Sequence, residues 1–343
     1  MTEPIKVLIV EDNPLIQAAY KKALSTVREI EVVATASNGK EGIELLHSTN
    51  PDVIICDLNM PVMDGFEFTK IVMEENPKPI LIISDLVQKE DEVNIFKVLQ
   101  LGAVEVLPKP KIGGDISLLA EELGRKIKIL SGVIVFKKRK SGNISTSSNP
   151  ETFSINQKFK LLVIGASTGG PQAYLEILKD IPSGFPLPIV CVQHISTGFA
   201  ESLVDWLKQI AKLKVEIVKE KISLEKGKIY FPLDDHHLVV DSETISPNHD
   251  ASSKGHRPSV DVLFKSASKS FNNQVLAVLL TGMGDDGAQG LKDIKDRGGY
   301  TIAQDESSSV VYGMPRVAYE MGATKEVLPL NRIASRILEL CHV

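Results

Sequence analysis

Cysteine is scarce: Cys56, Cys191 and Cys341 are the only three in 343 residues, and their separation forms neither a metal-binding pair nor a disulfide framework. Two of them sit inside apolar runs, where a small buried side chain is expected, so a reducing cytosol is the expected compartment. Aromatic residues make up 5% of the chain, with one tryptophan, which leaves no platform for stacking bases. Basic charge is not in excess either. The formal net charge is -5, and from residue 159 onward 20 Lys and Arg face 22 Asp and Glu, without a compact helix-turn-helix carrying a basic reading helix. Nucleic acid is therefore excluded as a partner. No apolar stretch approaches the roughly 20 residues of a membrane span. Met1-Thr2-Glu3-Pro4 leads straight into a short strand, so neither secretion nor membrane insertion is expected.

What is present is enough chain, at 43% hydrophobic content, for two cores. Short aliphatic runs at Lys6–Val10, Val32–Ala34, Val53–Cys56, Ile80–Ile83 and Val104–Leu107 alternate with helix-like segments, the pattern of a doubly wound parallel sheet. A polar stretch ending in Ser-Gly-Asn-Ile-Ser-Thr-Ser-Ser-Asn-Pro cannot bury enough apolar surface to fold alone. It reads as a tether, and its Lys-Lys-Arg-Lys run as a solvated part of it. The boundaries expected are 1–125 for the first domain, 126–158 for the tether and 159–343 for the second domain. The second domain repeats the α/β alternation at Lys160–Ile164, Ile189–Val192, Val215–Val218 and Val275–Leu280. Residues 222–240 read as short strands forming an antiparallel addition at the sheet edge, and Ile333–Leu340 as a closing amphipathic helix.

In the first domain, strand one runs into Glu11 and Asp12 and strand three ends at Asp57, which places three carboxylates at the strand ends where open α/β sheets bind ligands. Crowded carboxylates repel unless a cation neutralises them, and oxygen-only ligands favour magnesium. Ser84 and Lys109 add a hydroxyl and a cation at the same edge, suited to phosphoryl oxygens, with Asp57 as the nucleophile. Taken singly, any of these acids reads equally as a solvated loop residue or a helix cap. As an ordered set, Glu11-Asp12, Asp57 with Met60-Pro61-Met63-Asp64-Gly65, Ser84 and Lys109-Pro110 resemble the response-regulator receiver family over about residues 1–125. The resemblance implies a flavodoxin-like fold and phosphorylation of Asp57 by a histidine kinase. It also implies that Glu11, Asp12 and Asp57 hold Mg2+ and that Ser84 and Lys109 sense the acyl phosphate. Val106 departs from the pattern, standing where many receivers carry a switch aromatic.

In the second domain the first strand runs into Gly165-Ala166-Ser167-Thr168-Gly169-Gly170-Pro171. Small residues around a serine on a strand-to-helix turn leave its hydroxyl exposed near backbone donors, which makes Ser167 a nucleophile candidate. A phosphate or dinucleotide loop is the competing reading. The spacing is not G-x-G-x-x-G, however, and the next strand ends in Gln193-His194 where a ribose would need an acid. His194 and the pair Asp285-Asp286, delivered by other strand ends, complete a Ser-His-Asp set, and spacing alone does not choose between the two aspartates. His47, His236, His237, His249, His256 and His342 read as ordinary surface or structural residues.

Five motifs in order resemble the catalytic domain of CheB-type protein-glutamate methylesterases: Gly165–Gly170, Gln193-His194 with Gly198-Phe199, Arg257-Pro258-Ser259-Val260-Asp261, Thr281–Gly287, and Gln304-Asp305-Glu306 with Tyr312-Gly313-Met314-Pro315. The resemblance covers about residues 159–343 and implies a Rossmann-like parallel sheet. It assigns Ser167 as nucleophile, His194 as general base, Asp286 as its orienting partner and the Met283 backbone as an oxyanion donor, with Thr168 nearby. It further implies hydrolysis of glutamyl methyl esters on chemoreceptors in chemotaxis adaptation, possible deamidation of receptor glutamines, control through the receiver, and no cofactor for the esterase step. The implied partners are chemoreceptors as substrate and a chemotaxis histidine kinase as phosphodonor.

Overall fold

The computed structural model describes residues 3–84, 89–110, 115–133, 135, 159–251 and 255–342, with residues 89–94 described by backbone alone. Most of the expected tether, including its basic run, lies outside the described residues. The chain forms two compact units that divide after Lys140.

The first unit alternates β1 (Ile5–Val10), α1 (Pro14–Leu24), β2 (Ile30–Ala36), α2 (Gly39–Thr49), β3 (Val53–Asp57), α3 (Gly65–Glu75), β4 (Ile80–Ser84), α4 (Lys89–Leu101), β5 (Glu105–Pro108) and α5 (Ile116–Leu130). Its five strands pair in parallel in the order β2-β1-β3-β4-β5. Every residue of β3 and β4 is buried, because helices cover both faces of a parallel sheet, and so these strands read as unbroken aliphatic runs. Side-chain caps start the helices: Asn13 accepts the Leu15 N–H just ahead of Pro14, and Asp64 accepts the Glu67 N–H. Helix α5 corrects the boundary placed at residue 125. It continues to Leu130 because Ile127 and Leu130 extend its buried stripe, so residues 126–130 are helix and not tether.

The second unit contains β6 (Leu161–Ala166), α6 (Gly170–Leu178), β7 (Ile189–Gln193), α7 (Ala200–Lys208), β8 (Lys214–Val218), β9 (Ile222–Ser223), β10 (Lys228–Pro232), β11 (His237–Asp241), β12 (Thr244–Asn248) and α8 (Val260–Phe271). It continues through β13 (Val275–Leu279), α9 (Ala288–Asp296), β14 (Tyr300–Gln304), α10 (Met314–Glu320), β15 (Glu326–Leu328) and α11 (Leu330–Cys341). Seven strands form a parallel sheet in the order β15-β14-β13-β6-β7-β10-β8. The strand order reverses at β6, which lies between β7 and β13, and the crevice at the carboxyl ends of these three strands is where such a sheet binds its ligand.

One expectation is corrected here. Residues 222–240 do not all form an edge addition: β9, β11 and β12 make a separate antiparallel sheet, whereas β10 inserts in parallel between β7 and β8 with Ile229, Tyr230 and Phe231 buried. The apolar run of β10 is only three residues long, and a short run does not reveal whether its neighbours are parallel or antiparallel. Strand β14 escaped sequence reading because buried Thr301 and Gln304 interrupt its apolar pattern. Helix α11 forms where expected, with Ile333, Ala334, Ile337 and Cys341 facing inward.

Candidate active site

At the carboxyl edge of the first sheet, Glu11 and Asp57 are buried and Asp12 is exposed, and one carboxylate oxygen from each lies within 4.8 Å of the others. The Lys109 ammonium donates to Asp57 Oδ2 at 2.8 Å and Glu11 Oε1 at 3.1 Å. Burial raises the Asp57 carboxyl above the usual range, with Lys109 acting in the opposite direction. Burial and then the neighbouring Asp57 charge push Glu11 up to about 7. Two buried oxygens, Glu11 Oε2 and Ser84 Oγ, have no hydrogen-bond partner among the described residues. An all-oxygen donor set with an unsatisfied carboxylate oxygen fits a hard divalent cation such as Mg2+. Ser84 ends β4 beside β3, and its carbonyl accepts the Lys109 N–H at 3.0 Å. Val106 is buried within β5 opposite Ile82, so an aliphatic side chain fills the position where many receivers have an aromatic.

On the second sheet, Ser167, His194 and Asp286 follow the ends of β6, β7 and β13. The serine turn is held by its backbone: Ser167 N–H donates to Thr281 O at 3.0 Å, and Gly170 N–H donates to Ser167 O at 2.8 Å. Gly169 takes φ +79°, which glycine tolerates without strain, and a methyl at Gly282 would lie 2.6 Å from Ser167 Cβ. Thr168 is buried, and its carbonyl accepts the Thr281 hydroxyl at 3.0 Å. Met283 is 41% exposed and follows Gly282, whose N–H goes to Val311 O and whose carbonyl accepts the Met314 N–H.

His194 Nε2 lies 2.8 Å from Asp286 Oδ2, which leaves Nδ1 as the ring nitrogen able to accept a proton from Ser167. Nδ1 is buried and has no hydrogen-bond partner among the described residues, Ser167 Oγ included. The Asp286 carboxylate also accepts Val260 N–H at 2.7 Å, Ser259 Oγ–H at 2.8 Å and Asp261 N–H at 3.1 Å, all from the start of α8. Burial opposes its charge, but the His194 imidazole and these donors outweigh it and hold the carboxyl down to about 2. Asp285 is exposed, and its carbonyl takes the Ala288 N–H at the start of α9. Geometry thus separates two aspartates that spacing could not.

Two histidines read in the sequence as ordinary surface or structural residues, and a glutamine given no role there, stand beside these groups. The His256 ring stacks on His194 at 4.0 Å between centroids with 8° between planes, so it is not an ordinary surface residue. His237 is buried, and its Nδ1 accepts the Ser259 N–H at 3.1 Å, one step behind Asp286. Gln193 donates to two backbone carbonyls beside the nucleophile and base. For His256 the only local signal was adjacency to Arg257-Pro258-Ser259, while His237 sits in a loop-to-strand context without any.

A five-stranded 2-1-3-4-5 sheet with an acidic edge, followed by a parallel sheet with a Ser, His and Asp at its reversal point, defines a receiver joined to an α/β effector of hydrolase type. Family comparison carries this further. Residues 7–118 match the response regulator receiver domain and residues 162–337 match the CheB methylesterase domain. The chain belongs to the CheB methylesterase family. Among its relatives, a Methanospirillum hungatei protein named protein-glutamate methylesterase/protein-glutamine glutaminase 2 is 40% identical, with 96% of each chain covered. A Syntrophus aciditrophicus protein-glutamate methylesterase/protein-glutamine glutaminase 1 is 38% identical, with 98% of each covered. The crystal structure of the Thermotoga maritima CheB methylesterase catalytic domain is 35% identical and aligns at a TM-score of 0.51, covering 53% of this chain and 98% of that one.

Proposed function

We infer that this chain is a phosphorylation-regulated protein-glutamate methylesterase that demethylates chemoreceptors, with Ser167, His194 and Asp286 as its triad. The observation that carries the reading is the His194–Asp286 pair, with Nδ1 on the other side of the ring buried and without a partner among the described residues, at the crevice that holds Ser167. Ser167 Oγ attacks the carbonyl carbon of a glutamyl methyl ester while His194 Nδ1 takes its proton. Asp286 stabilises the resulting imidazolium, and the oxyanion is met by the Met283 N–H, which takes no backbone partner among the described residues. The imidazolium then returns the proton to the methoxy oxygen, methanol leaves, and a water deprotonated by His194 hydrolyses the acyl-enzyme to glutamate. An amide in the same position would release ammonia by identical steps, which brings receptor glutamines within reach, in keeping with the names of the relatives.

In the receiver, Glu11, Asp12 and Asp57 would hold Mg2+, which when bound offsets charge on the incoming phosphoryl group. Asp57 is the acceptor, and Ser84 Oγ and Lys109 contact the phosphoryl oxygens. The phosphodonor is a histidine kinase of the chemotaxis system, and the enzyme works in the cytoplasm without a cofactor for the ester step. The test is methanol release from methylated receptor membranes together with labelling by a fluorophosphonate. Ser167→Ala should abolish both while leaving the fold intact. Near-normal turnover by that variant removes the serine mechanism.

A further inference from the structure

Gln193 is the last residue of β7 and is 4% exposed. The β6–β7 ladder ends at the Ala166–Gln193 pair, and the last main-chain bond between the strands runs from His194 N–H to Ala166 O at 3.0 Å. Beyond that point the two chains part, one carrying Ser167 and the other His194. The Gln193 carboxamide spans the gap. Its Nε2 donates to Ser167 O at 2.8 Å and to His194 O at 2.7 Å, so both hydrogens of one nitrogen are used on the backbones of the two reacting residues.

The orientation of this amide is fixed by what a flip would do. Turning it over would set an oxygen against two carbonyl oxygens, leaving His194 O without this donor and Ser167 O with only the Gly170 N–H. In the present arrangement Gln193 Oε1 is the one polar atom of this amide left buried without a partner among the described residues. That oxygen is pressed against the first residue of α6: a methyl at Gly170 would lie 1.9 Å from it.

We propose that Gln193 is a positioning residue whose carboxamide clamps the Ser167 and His194 backbones together and so sets the distance between nucleophile and base. The proposal rests on the serine mechanism above. Proton transfer and attack depend steeply on that distance, and a displacement of about 1 Å can cost about 10²-fold in rate. A merely structural glutamine would affect folding and not the turnover of each folded site.

Gln193→Met keeps the length of the side chain and removes both donors, whereas Gln193→Glu retains one donor when protonated and none when ionised. In the full chain, Gln193→Met should lower kcat about 10²-fold with KM within about twofold of the parent, and slow fluorophosphonate labelling of Ser167 by a similar factor. For Gln193→Glu, the ratio of its kcat to that of the parent at each pH should fall as pH rises from about 5 to 9, because a buried carboxyl ionises late in that range. Full turnover per labelled serine in Gln193→Met, or a flat ratio for Gln193→Glu, overturns the clamp. If Gln193→Met does not fold, the Gln193→Glu ratio decides alone. A parent left unlabelled at Ser167 overturns the serine mechanism itself, and the clamp with it.

Discussion

Replacing Asp286 with Asn tests the triad most sharply, because the environment of that carboxylate leaves an amide no good orientation. Four donors converge on it: His194 Nε2 and Val260 N–H on Oδ2, and Ser259 Oγ–H and Asp261 N–H on Oδ1. If the new NH2 takes the Oδ2 position it opposes the Val260 N–H and forces His194 to accept at Nε2. The ring proton then moves to Nδ1, which can no longer take the Ser167 proton. If the NH2 takes the Oδ1 position, the tautomer survives but the Asp261 N–H is orphaned, at about 1–3 kcal/mol, and the charge that stabilises the imidazolium is gone in either case. Loss of the correct tautomer in a triad lowers kcat about 10⁴-fold, which corresponds to about 5 kcal/mol of barrier. Stability moves too. A carboxyl brought from 3.8 to about 2 contributes about 2 kcal/mol. Because the folded value is depressed, that contribution is complete above about pH 4 and is lost as pH falls towards 2. Asp285→Asn serves as the control, since Asp285 is exposed, and should change turnover less than about twofold. The assay is the initial rate of methanol release with thermal unfolding in parallel. Equal losses at the two aspartates, or more than a tenth of parent turnover in Asp286→Asn, would show that the third member is placed wrongly.

Phosphorylation of Asp57 should raise the initial rate of the full chain between several-fold and about a hundredfold, the span of a typical coupling of about 1–3 kcal/mol. The measurement uses Mg2+ and a small acyl phosphate; Asp57→Ala should not respond, and a fragment beginning near Lys158 should be active without the donor. A fragment no faster than the unphosphorylated chain would mean that the receiver activates or recruits the enzyme and does not restrain it. His256→Ala removes the ring stacked on His194 and should lower kcat about 2- to 12-fold, from about 0.5–1.5 kcal/mol per aromatic pair. His256→Phe should recover most of that rate, and failure to do so would assign His256 a role other than stacking.

Sequence alone determined that two parallel sheets form and where most of their strands end, β10, β14 and β15 excepted. Aliphatic runs such as Val53–Cys56 and Ile189–Val192 are legible because a strand covered on both faces has no polar side to interrupt it. Residues at the ends of such runs must gather along one sheet edge, and so Asp57, Lys109, Ser167 and His194 could be named from order alone. Tertiary structure decided whatever depends on which strands become neighbours. The insertion of β10 between β7 and β8, and the choice of Asp286 over Asp285, follow from pairing and from the donors at the start of α8, both remote along the chain. The same holds for His256, His237 and Gln193. A ring stacked on another ring, or an amide bridging two carbonyls, has no periodicity and no local composition. It exists only once segments separated by tens of residues are folded against one another.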